Sequence, residues 1–316
     1  MIKSIFTLLL LVSVLNLQAQ FPDPPSSTAL FMEGEVSTNI SERDMAISPD
    51  GNEMYYTLLA SQNAFSTILF KRKISSNKWS APEVVTFSGK FSDLEPTFSA
   101  DGKKLFFSSN RPITGLTIKD YDIWYVEKVN GKWSEPKNIG APINTEEDEF
   151  YPSTGSSGNL YFTAAYSKGV GKEDIYIAEF KNGSYTDPIA LDTAVNSKLY
   201  EFNAFVSLDE KMIFFTSYGR KDDTGGGDLY VSMKNAEGKW QPAKNIKLLN
   251  TKKLDYCPYI SPDKKSFFFS SSRHTVKSSY DKPVTYQELL KTYNSASNGS
   301  ENIYWISLEN LLESLK

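Results

Sequence analysis

Five acidic residues recur along this chain at near-regular intervals: Glu42, Asp93, Glu149, Glu201 and Asp255. Arginines recur further along three of the same units, at Arg111, Arg220 and Arg273, with Lys168 in the third unit. Two carboxyl groups held at a defined separation can serve as acid and base, or acid and nucleophile, in glycoside cleavage. Gathered near guanidinium groups, they can instead make a mixed-charge pocket for a sugar or a peptide. Like charges that close raise one another's pKa unless countered. The competing use is architectural: each acid pairs with its own unit's arginine, or caps a backbone turn. A feature present in every unit is ordinarily fold-making, and sites arise where repeats differ.

The remaining reactive inventory is small. One Cys among 316 residues excludes an internal disulfide framework and a cysteine-built metal centre. One His excludes a multi-histidine site. His274 is the one available imidazole base, yet no Gly-x-Ser-x-Gly elbow accompanies it. The run Gly225-Gly226-Gly227 lacks the strand–helix context and lysine of a phosphate loop. Asp222-Asp223 could touch a hard cation, but a full oxygen-ligand set is not legible, and no metal or cofactor is expected. A formal charge of -4 gives no basic field for nucleic acid.

Residues 1–19 read as an export leader: Lys3 near the start, an almost wholly apolar run from Ile5 to Leu17, and the small Ala19 at the exit. No Cys follows the run, so a lipid anchor is not expected, and no second run of spanning length appears. The expectation is an exported chain acting in the periplasm or outside the cell, with residues 20–316 as one domain and a monomer.

The elements that must position the five acids repeat with them. The stretch from Asp93 to Phe107 aligns without a gap on that from Asp255 to Phe269, on Glu42 to Tyr56 and on Glu201 to Phe215; Glu149 to Phe162 fits with one deletion. Equivalent apolar residues Met54, Leu105, Leu160, Ile213 and Phe267 lie 51, 55, 53 and 54 residues apart. Trp79, Trp133, Tyr185 and Trp240 keep the same period. In the second unit, residues 95–99, 104–109, 122–128 and 133–139 read as strands. Ser-Pro-Asp-Gly variants turn the first pair, and Asn130-Gly131 turns the last. The 14% aromatic content suits strands.

Four antiparallel strands repeated at this period describe a propeller blade. Five blades are expected, over about 41–86, 93–140, 148–191, 200–248 and 255–306. The last unit lacks a fourth strand, and residues 29–35 supply an orphan one, so an N-terminal strand should complete the last blade and close the ring. An apolar residue followed by Asn or Ser precedes each acid by five positions, at Ser37, Ser88, Asn144, Asn196 and Asn250. A short helix is expected after Pro283, inside an insertion over residues 273–300. Leu308, Leu311, Leu312 and Leu315 mark another at the C-terminus.

The Glu-Pro-x-Phe-Ser-x-Asp-Gly stretch from Glu95, the Phe-Phe-Ser-Ser-Asn-Arg ending at Arg111, and Tyr121-Asp122-Ile123-Trp124-Tyr125 resemble the WD40-like repeats (PD40) of the TolB type. The likeness covers nearly all of residues 40–306. It implies a five-bladed propeller and, for function, a periplasmic scaffold or binding module or a carbohydrate-active enzyme. On that fold the five acids begin the inner strands and ring one channel mouth, with Arg111, Arg220 and Arg273 on the same face. The insertion would cap that face beside Arg273 and His274, since long loops on rigid scaffolds are where binding usually lives. The expected role is binding or scaffolding for a glycan, peptide or envelope protein. The alternative is a carbohydrate-active hydrolase or lyase using two of the ring carboxylates.

Overall fold

A computed structural model describes residues 22–76 and 78–316; the leader expected at 1–19 lies outside them. Five antiparallel blades stand around a central channel, with a two-stranded ribbon of Phe180–Lys181 and Ser184–Tyr185 in the third. Their inner strands are Ser41–Ile47, Asp93–Phe98, Glu149–Thr154, Tyr200–Val206 and Asp255–Ile260. Middle strands Glu53–Leu59, Lys104–Ser109, Leu160–Ala164, Met212–Tyr218 and Ser266–Ser271 follow. Third strands are Ser66–Ser75, Asp122–Val129, Asp174–Ala178, Asp228–Met233 and Asn302–Ser307.

Local chemistry sets the hairpins. In the first turn Ser48 donates to Asp50, whose carboxylate accepts from the Asn52 amide (3.1 Å), while Gly51 takes a φ of 71°. Asn130 and Gly131 both adopt positive φ (51° and 77°), as their two-residue turn demands. The outer strands are far shorter than the sequence suggested. The residues expected as one strand at 133–139 form two pieces, Lys132–Trp133 and Lys137–Asn138, both pairing with the third strand.

The recurring Asn explains how so short an edge is sealed. Asn144 accepts from the Ile123 amide and donates to the Ile123 carbonyl, both at 2.9 Å, imitating a neighbouring strand. Asn196 does this for Ile175 and Asn250 for Leu229. Buried backbone groups left without such partners would cost folding energy.

Apolar residues collect between blades. Tyr55, Phe70, Leu105, Phe107 and Trp124 pack the first blade on the second, and each other junction has a comparable cluster. At the fifth-to-first junction the ring closes without a covalent link. Ala29–Leu30 pairs antiparallel with the third strand of the last blade, Ala29 opposite Trp305 and Leu30 opposite Tyr304. Phe31 donates to the Ile303 carbonyl (2.9 Å) and buries its ring against Phe268 and Trp305 at centroid distances of 5.0 and 5.2 Å. Ser37 stands where other junctions use Asn or Ser, and donates to the Ile303 carbonyl at 2.8 Å. The closing strand is thus two residues rather than the whole of 29–35.

Two short helices occur, Tyr286–Tyr293 in the last-blade insertion and Leu308–Ser314 at the C-terminus. A capping box from Thr285 and Glu288 starts the first. Leu308 and Leu311 bury the second against the fourth-to-fifth junction.

Candidate functional site

The five repeated acids are buried in the walls rather than presented to the channel mouth. Glu42 is 2% exposed and the other four are at 0%. Asp93 accepts from Ser88 (2.8 Å), Ser109 (2.6 Å) and Arg111 (2.5 Å). Glu201 and Arg220 meet at 2.9 Å, and Asp255 and Arg273 at 2.6 Å. Each guanidinium also bonds a carbonyl of its blade junction: Phe87, Val195 or Leu249. Each stacks over two aromatic rings, as Arg273 does on Phe269 and Tyr304 at 5.0 and 4.8 Å.

A Ser or Thr four residues before the acid supplies further donors. The Ser197 hydroxyl meets Glu201 at 2.8 Å and its amide at 2.7 Å; Thr38, Thr145 and Thr251 do the same for Glu42, Glu149 and Asp255. In the third blade Lys168 does not pair with the acid. The Tyr166 hydroxyl donates to Glu149 at 2.8 Å, and burial pushes that carboxyl up to about 7.

Two residues further along each inner strand the backbone leaves the ordinary β region. Asp44, Glu95, Tyr151, Asn203 and Cys257 have φ of 61°, 61°, 50°, 49° and 53°, and pairing with the middle strand skips at each. This is a β-bulge built without glycine in every blade, and such strain persists only where the surroundings over-determine it. The bulge residues themselves gather in the channel, where Asp44, Glu95, Tyr151, Asn203 and Cys257 meet with Arg43 and Tyr256. There the repeats differ.

Glu95 is the hub of the resulting cluster. It accepts from Arg43 (2.8 Å), Asn203 (3.2 Å), Ser108 (3.1 Å) and the Tyr151 amide (2.6 Å). Burial raises its pKa despite the pull of Arg43. Arg43 is divided between Asp44 and Glu95, both at 2.8 Å, and its guanidinium lies 4.7 Å over the Tyr256 ring. Cys257 lies buried beside them as a free thiol.

Above this floor opens a cleft of about 350 Å³. Its walls include Phe150, Phe202 and Tyr256, each following the acid of its inner strand, with Tyr121, Glu173 and Glu301. The last three stand just before third strands, where their carbonyls accept from the next blade's acid amide. The distances are Glu149 to Tyr121 2.7 Å, Glu201 to Glu173 2.9 Å and Glu42 to Glu301 2.8 Å. Burial, then neighbouring carboxylates led by Glu95, push Glu173 up to about 7. Glu301 Oε2 and the hydroxyl of Tyr256, a residue only 3% exposed, are buried without a hydrogen-bond partner among the described residues. None of Glu42, Asp93, Glu149, Glu201, Asp255, Arg111, Arg220 or Arg273 lines this cleft.

His274 is exposed on a shallow surface groove with Tyr293 and Asn298 from the insertion, apart from the mouth. The insertion is tied down by Asn298 donating to the Asn39 carbonyl at 3.0 Å and contributes no helix residue to the cleft. Asp222 and Asp223 both accept from Tyr230, and no group of three or more metal-binding side chains exists among the described residues. Trp79 and Trp133 pack between blades, the latter donating to Tyr55 at 2.9 Å.

No protein-family model and no curated protein sequence matches the chain. Among solved structures, BT0996 in a complex with RGII is similar with a TM-score of 0.55 at 7% identity, over 90% of this protein and 92% of that one. The catalytic domain of a Coprinopsis cinerea GH62 α-L-arabinofuranosidase gives 0.52 at 7% identity, over 90% and 97%. TolB from Acinetobacter baumannii gives 0.47 at 15% identity; the likeness covers 85% of this protein and only 54% of that one's length. At such identities the likeness is one of propeller fold.

Proposed function

We propose that this chain is an exported binding module, acting as a monomer, whose ligand site is the channel mouth walled by Phe150, Phe202, Tyr256, Glu173 and Glu301. A segment of a glycan, a peptide or an envelope protein is the class of ligand that such a cleft admits. The reading is carried by the Tyr256 hydroxyl and Glu301 Oε2, polar atoms buried without a partner among the described residues, on two side chains that line an open cleft, a costly state that a ligand relieves. Its support for export is the leader-like composition of residues 1–19. No helix among the described residues is long and apolar enough to cross a membrane.

The test is a glycan and peptide panel screened against the parent chain and a Phe202→Ala variant of verified fold. Ligands should be captured by the parent and lost by the variant; equal capture by both sinks the reading. A carbohydrate-active enzyme is the second reading, favoured by Glu95 and Glu173 lining one cleft with raised proton affinities. Glu95 already holds four donors, which leaves Glu173 as the group free to move a proton. Cleavage of any panel glycan by the parent but not by Glu173→Gln would establish that reading.

A further inference from the structure

The cleft is acid-rich in a way its own residues do not balance. Its lining carries Glu95, Glu173 and Glu301 against one cation, Arg43. That guanidinium is already engaged by Asp44 and Glu95. Glu173 and Glu301 make no side-chain hydrogen bond or salt bridge among the described residues, although both are partly buried. Carboxylates withdrawn from water without a counter-charge are expensive, and a cation entering the cleft would repay that cost.

The walls restrict what can carry the charge. Phe150, Phe202 and Tyr256 come from three successive blades, so the aromatic lining curves along one arc of the entrance instead of lying in one sheet. Such walls suit a slender apolar stem more than the broad face of a sugar ring. A lysine or arginine side chain has that form, methylenes below a charged head, and aromatic faces attract the head as well. A neutral glycan would leave both carboxylates uncompensated.

We infer that the channel mouth recognises a basic side chain, a lysine or arginine carried by a peptide or protein partner. Glu173 and Glu301 hold its charged head, and Phe150, Phe202 and Tyr256 enclose its stem. This rests on the channel mouth being the ligand site and names the chemistry that the site selects.

The experiment is a calorimetric titration of the full chain with Nα-acetyl-trilysine amide, its fully Nε-acetylated form and deacetylated chitotriose. The first should bind, and acetylating the side chains should weaken it by about tenfold or more, the effect of removing a buried charge partner. The double variant Glu173→Gln, Glu301→Gln should weaken trilysine similarly while its melting temperature does not fall below that of the parent. Equal affinity for the acetylated peptide, or an unchanged double variant, overturns the cation inference. Chitotriose bound in preference to trilysine overturns the choice of a peptide carrier. The two readings fail separately. A neutral ligand lost in Phe202→Ala leaves the mouth as the site and removes only its charge preference, whereas ligands kept in Phe202→Ala remove the site itself.

Discussion

Two sets of five residues, offset by two positions in the same inner strands, have opposite fates. The first set, Glu42, Asp93, Glu149, Glu201 and Asp255, is nearly uniform in type and consumed in the walls. The second, Asp44, Glu95, Tyr151, Asn203 and Cys257, shares one strained backbone conformation and no common side chain. Uniformity accompanies the architectural role, because every junction needs a buried acid that gathers donors. Variety accompanies the channel, where Glu95 and Asn203 line the cleft and Asp44, Tyr151 and Cys257 are buried beneath it. Repetition marks what a repeat protein needs to stand, and departure from repetition marks where it can act.

The comparison can be broken at its strongest point first. Asp93→Ala leaves Arg111, itself 8% exposed, without its carboxylate. Losing one member of a buried pair costs about 3–5 kcal/mol, readable by urea unfolding. A loss under about 1 kcal/mol, the worth of a surface pair, would mean the acid ring is not structural.

A smaller effect separates the clamped acids from Glu149, which has Tyr166 in place of arginine. Its folded pKa of about 7 lies above the ordinary 4.5, so its protonated form suits the fold. That contribution is fully present below pH 4.5 and is lost as pH rises through 7. Melting scans should therefore show Glu149→Gln gaining on the parent from about pH 5 to 7, with a level difference above. A constant difference across that range would show that Glu149 titrates normally. The smallest loss belongs to the mouth: Glu173→Gln with Glu301→Gln should cost the fold no stability, since neither carboxylate supports a neighbour, and any change at neutral pH should be a gain from removing uncompensated carboxylates.

Much of the architecture was legible because period and turn chemistry are local properties. The five units, the hairpin at Asn130-Gly131, the closing strand and both helices all follow from them. The competing, architectural use of the acids was also legible, from their presence in every unit. The Ser or Thr four residues before four of the acids recurs in the sequence, but its bond to the acid, like the strand-like bonding of Asn144, Asn196 and Asn250, depends on backbone geometry that the sequence does not display. The bulges were not legible. Glycine normally advertises positive φ, and none stands at those positions. Glu173 and Glu301 escaped because each occupies a loop end whose counterparts are Tyr121 and Gly227, so no pattern linked them. Only the backbone bonds to the next blade's acid bring them to one rim.

The two-residue closing strand also decides how the ring answers to force. It runs antiparallel to Asn302–Ser307, so the chain's leading end leaves the pair beside its trailing end; the Ser307 amide meets the Pro25 carbonyl at 2.8 Å. Tension applied between the two ends therefore loads these hydrogen bonds in sequence rather than together, the arrangement of a zipper and not of a shear joint. The fifth blade should part first, at low load, with Phe31 as the last catch before the circle opens.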